Sequence, residues 1–142
     1  MIPKFRAWKK INTQEMLNDV RAIDFDKRMI KIGYPLSRDT TRIDTESLDN
    51  VKLMQSTGLK DILGNDIYEG DIVKVLVEND EPKIMSGKMY VGVVAYNQGV
   101  FDIRTFKDTY LGIIPQVYLS DVNCAFRVLG NIYENPELLE DN

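Results

Sequence analysis

Apolar and polar residues alternate with period two along much of this chain. That pattern puts the apolar side chains of a strand on one face and its charges on the other. Val20 to Ile32 reads as a hairpin: Ile23 and Phe25 share one parity and Asp24 the other, Asp26-Lys27-Arg28 supplies a turn, and Ile30 and Ile32 then alternate with Lys31. Lys88–Tyr96 and Val100–Phe106 predict a second hairpin, in which Phe101 and Ile103 alternate with Asp102 and Arg104. Asn97-Gln98-Gly99 joins its strands, and Gly99 suits the left-handed position of a three-residue loop. Lys4–Lys10, Val51–Gln55 and Phe126–Tyr133 read as further strands. Asp71–Val77 is apolar on both parities save Lys74, so both its faces are expected to be covered.

Between these runs the pattern is weaker. Thr13 is placed to cap a brief helix through Met16 and Leu17. Ser37 to Asn50 has only Ile43 and Leu48 to bury and reads as a surface loop or peripheral helix, separating an N-terminal region, 1–50, from the rest. Gly58, Asp61, Gly64-Asn65-Asp66 and Gly70 crowd turn signals into one stretch. Tyr110–Val122 gives no clean period. Asn135, Pro136 and Glu137 are the cap, first position and first-turn acid of a helix over 135–141. The expected fold is mostly β: a small barrel-like (SH3-like) subdomain over 51–134, an N-terminal β-hairpin region and short helical segments, within one domain of 142 residues.

Composition adds two points. With 44% apolar and 28% charged residues the chain can build a core without metal or disulfide. Its net charge of -4 is unevenly placed: residues 1–42 hold ten Lys/Arg and five Asp/Glu, residues 43–142 eight and seventeen. Such asymmetry suits an electrostatic partner, another copy of the chain included, although interspersed charge also serves solubility alone. Cys124, the single cysteine, lies in an apolar run and reads as a buried thiol, which fits a reducing compartment. Met1-Ile-Pro-Lys-Phe-Arg-Ala-Trp shows no apolar signal segment, and no stretch approaches the ~20 apolar residues of a membrane span, so a cytoplasmic protein is expected.

Catalytic patterns are scarce. The chain has no histidine, which removes the commonest general base and metal ligand. One cysteine cannot build a zinc site, and neither a phosphate loop nor a dinucleotide fingerprint occurs. Asp24 with Asp26, and Glu69 with Asp71, put two acids on one parity, a pattern that suits Mg²⁺ or a plain solvated face. Lys4, Arg6, Lys9 and Lys10 surround Phe5 and Trp8, a basic strip with aromatics that suits phosphates and a stacked base.

Four ordered segments carry a family likeness. They are Lys4-Phe5-Arg6-Ala7-Trp8; Leu53-Met54-Gln55-Ser56-Thr57-Gly58-Leu59-Lys60-Asp61; Gly64-Asn65-Asp66-Ile67-Tyr68-Glu69-Gly70-Asp71-Ile72-Val73; and Gly130-Asn131-Ile132-Tyr133-Glu134-Asn135-Pro136. Together they resemble the YopX family of phage and prophage proteins over nearly the whole chain. Lys9, where that family more often has an acid, and Ser56, where an aromatic is usual, depart from its pattern. The resemblance implies a phage-encoded accessory protein that forms a homo-oligomer, and implies no reaction. The expectation is therefore a non-enzymatic, self-assembling interaction module with a host or phage protein as partner, and with no cofactor, metal or membrane. The alternative is a nucleic-acid-binding β-barrel module using Lys4, Arg6, Trp8, Lys9 and Lys10.

Overall fold

The alternating segments do form strands. The structure, a computed structural model, describes residues 2–77, 89–106, 108–118 and 124–139, and the chain divides into two compact units, Met1–Ser56 and Thr57–Asn142. The fold is mostly β, with a curled half-barrel sheet and few helices, in agreement with the alternation.

In the first unit β1 (Phe5–Lys9) lies between β2 (Glu15–Leu17) and the first half of β6 (Val51–Lys60), antiparallel to both. A second antiparallel sheet runs β3-β4-β5, from Val20–Asp24, Met29–Pro35 and Thr41–Ser47. Ala7, Leu17, Ile30, Ile32 and Val51 come from both sheets into one core. Ile30 and Ile32 are buried and Lys31 is exposed, as period two requires.

Two expectations fail here. Residues 15–17 form β2 and not a helix: Leu17 is buried opposite Ala7, and β1 offers a ladder where so short a helix could not hold itself together. Residues 41–47 form β5 and not a loop or helix. An edge strand paired only to β4 needs no apolar face, and its charges, such as Arg42 bonded twice to Asp44 at 2.9 Å, discourage edge-to-edge aggregation. A 3₁₀ turn at Leu48–Asn50, capped by the Ser47 side chain, leads into β6.

In the second unit the remainder of β6 pairs with β7 (Asp66–Tyr68). A four-stranded antiparallel sheet has the order β10-β9-β8-β11, from Val100–Arg104, Met89–Asn97, Asp71–Val77 and Cys124–Asn131. One face presents Val73, Val75, Val94, Ile103 and Phe126 to a core completed by Ile67, Ile113 and Ile114. The two isoleucines open the short helix α1 (Ile113–Tyr118), which sequence periodicity missed because six residues are too few to show a helical stripe. Cys124 is partly buried against this core. β6 continues past Gln55 through Gly58, whose φ of 83° sits inside the strand and not in a turn.

The β9–β10 loop is tighter than the three residues expected. Val100 stands opposite Asn97, leaving only Gln98 and Gly99 between them, with φ of 51° and 88°. Positive φ at both central residues is the type I′ geometry that matches strand twist. The terminal helix start at Asn135-Pro136 is present as a 3₁₀ turn, Pro136–Leu139; residues 140–141 of that expectation lie outside the described residues.

Candidate interaction surface

Strand β1 distributes the five basic-strip residues over different surroundings. Arg6 and Trp8 share one parity: Arg6 is 7% exposed and Trp8 half-buried. Lys9 lies on the other parity with Ala7, and its ammonium is 2.9 Å from Glu46. That hydrogen bond raises the Lys9 pKa above its ordinary value. Lys4 and Lys10 are exposed at the two ends. The strand thus brings these residues together in sequence while dividing them between a buried position, an ion pair and two separate exposed ends.

The carboxylates serve turns. Asp24 Oδ1 accepts the Lys27 backbone N–H at 2.9 Å and closes the β3–β4 turn; Asp26 is exposed in that turn. Asp71, only 2% exposed, accepts the Tyr68 N–H at 2.8 Å, while Glu69 is half-buried. Asp102, also buried, accepts N–H groups of Ile103 at 2.8 Å and Gly112 at 2.7 Å. Asp61 is the most heavily used. It accepts the N–H groups of Leu63 at 3.0 Å, Asn65 at 2.8 Å and Val128 at 3.0 Å, and the Asn65 side-chain amide at 3.2 Å. Burial pushes its pKa up, but the donors from Val128, Asn65 and Leu63 outweigh burial and leave it below 3.8. In the last motif Asn131 Oδ1 accepts from Tyr133 and Glu134, and Ile132 N–H reaches the Gly70 carbonyl at 3.0 Å. The third and fourth segments of the family likeness therefore meet, as turns that lock each other. Among the described residues no group of three or more Cys, Asp or Glu is placed to hold a metal ion, and no helix is long and apolar enough to cross a membrane.

A groove of about 370 Å³ lies beside β3 in the first unit. Pro3-Lys4-Phe5 forms one wall, and Val20 to Ile23 with Phe25 the other. β3 is the edge of its sheet and carries no neighbouring strand on that side among the described residues. Phe25 is 72% exposed: Asp24 pairs with Met29, so the turn holds Phe25 at the tip, past the last position that faces the core. Arg21 is held by two 3.0 Å bonds to Asp19, and both Arg21 and Lys4 are exposed along the groove. By strand parity Phe25 belongs with Ile23 on the apolar face. The signal available was its position immediately before the Asp26-Lys27-Arg28 turn, where strand parity ceases to apply.

A mostly-β fold whose buried carboxylates fasten turns, with a groove beside an edge strand, defines a small β-rich protein. The chain belongs to the YopX protein family, which it matches over residues 4–140. It is similar to protein EF1440 from Enterococcus faecalis, with 31% identity, 99% of each chain covered and a TM-score of 0.58. Protein yopX from Bacillus subtilis shares its fold at 24% identity, with 96% of this chain and 97% of that one covered and a TM-score of 0.54. No curated protein matches the chain.

Proposed function

We infer that this is a phage-encoded accessory protein that works by recognition and not by catalysis, assembling with copies of itself through the β3 groove. The observation that carries this reading is an exposed phenylalanine over an apolar groove at an unpaired strand edge. Such an edge accepts an extended segment through main-chain hydrogen bonds, while pockets beside it select alternate side chains. Charge supports association between copies: residues 1–56 hold eleven Lys/Arg against eight Asp/Glu, and residues 57–142 seven against fourteen. One unit is cationic and the other anionic, so unlike units of two copies attract.

The test is size-exclusion chromatography with light scattering on the wild type and Phe25→Asp. The wild type is expected to run as a multimer at micromolar concentration. Burying a phenylalanine side chain is worth about 1.5–3 kcal/mol, so the variant should associate roughly tenfold to a hundredfold more weakly. Its melting temperature should barely move below the association range, because the side chain makes few intramolecular contacts. A wild type that stays strictly monomeric would overturn the reading.

A further inference from the structure

The sheet of the second unit has a second face, opposite its core. On β8 and β11 the register places Arg127 directly across from Lys74, with Ala125 across from Leu76 in the next row, and Met89 across from Leu76 on β9. Lys74 and Arg127 are both exposed, and among the described residues neither has an ion-pair or hydrogen-bond partner. Like charges directly opposite each other weaken a sheet, and this pair sits on a unit that holds seven Lys/Arg against fourteen Asp/Glu. The apolar residues around the two cations are unusually open: Met89 is 57% exposed, and Ile62, delivered to the edge by its 2.9 Å bond to the Phe126 carbonyl, is 63% exposed. These residues enclose a depression of about 200 Å³.

We propose that this face is a second docking site, for a protein segment in which carboxylates sit among apolar side chains. The carboxylates would neutralise the Lys74–Arg127 pair while the apolar side chains cover Ile62, Leu76 and Met89. Both halves of that chemistry are required by what is displayed: cations alone leave the apolar floor wet, and an apolar segment alone buries two unpaired charges. A nucleic acid supplies the negative charge but no apolar side chains to cover Ile62, Leu76 and Met89, which disfavours it. The site and the β3 groove share no residue, and the two are tested by different variants.

Arg127→Glu separates binding from folding. It turns a like-charge opposition into an opposite-charge pair with Lys74, so the melting temperature should rise by roughly 1–3 °C. A fluorescein-labelled peptide alternating leucine and glutamate should bind the wild type in an anisotropy titration. Arg127→Glu, and separately Lys74→Glu, should weaken that binding by about tenfold or more. A twin peptide with glutamine for glutamate should lose as much. The multimer of the wild type should persist in both variants. Equal binding of the two peptides, binding that survives in both variants, no binding to the wild type, or a thymidine oligonucleotide bound more tightly than the acidic peptide would each overturn the proposal.

Discussion

Replacing Asp61 with alanine is expected to destabilise the protein by about 3–4 kcal/mol, the sum of several buried donors left without their acceptor. Three backbone N–H groups and one side-chain amide converge on this carboxylate. Two of the N–H groups, from Leu63 and Asn65, belong to the turn between β6 and β7; the third belongs to Val128 on β11, next to the irregularity in its register with β8. Removing the carboxylate therefore unfastens a turn and the edge strand β11 together. Asp61→Asn should recover only part of the loss, because an amide has one accepting oxygen and its NH₂ faces donors. The pH dependence has a definite sign. The native pKa lies below the ordinary 3.8, so the contribution of Asp61 is present above that value and is lost as pH falls through the lower native value. Wild type and Asp61→Ala should thus differ most at neutral pH and converge below about pH 4. Urea titrations at a series of pH values check this. A gap that stays constant to pH 3 would mean that the carboxylate's charge is not what holds the turn.

Gly92→Ala is expected to cost about 3 kcal/mol, at the upper end of what overpacking does. The direction is the notable part. Alanine in a strand interior normally gains about 0.5–1 kcal/mol over glycine through chain entropy. At position 92 a Cβ would come within 2.5 Å of the Arg104 carbonyl oxygen and 2.7 Å of Ile103 Cγ2. The first is backbone in the neighbouring strand β10, which cannot swing aside as a side-chain tip can. β9 lies between β8 and β10, so the displacement would spread to both ladders. A fall in melting temperature of roughly 10 °C is the expected reading. An unchanged or raised melting temperature would show that β10 yields at no cost.

The candidate surfaces were legible only in fragments. The hairpin of residues 20–32 was readable because apolar positions alternate cleanly up to the turn, yet the turn itself displaced Phe25 from the face that parity assigned to it. Lys4, which the basic strip offers as a nucleic-acid contact, lies on a groove of the first unit. Its companion Arg6 is buried, which spacing along a strand cannot reveal without knowing what covers the second face. The Lys74–Arg127 pair is invisible in sequence, since its members are brought together by strand register alone. The polar strand β5 was missed for a related reason: its partner, β4, supplies the ladder that its own composition does not advertise.

By itself the amino-acid order determined the strand-rich character of this protein, the positions of its main hairpins, the turn chemistry of its Gly, Asn and Asp clusters, and the scarcity of groups for nucleophilic or histidine-based chemistry. Those properties are local: period-two alternation and the backbone preferences of turn residues act over a few positions. Tertiary structure decided which strands are edges, which charges face one another and which carboxylates are buried among backbone donors. These outcomes depend on register and on layer contacts between residues far apart in the chain, as in the bond from Val128 to Asp61, and no short-range pattern encodes them.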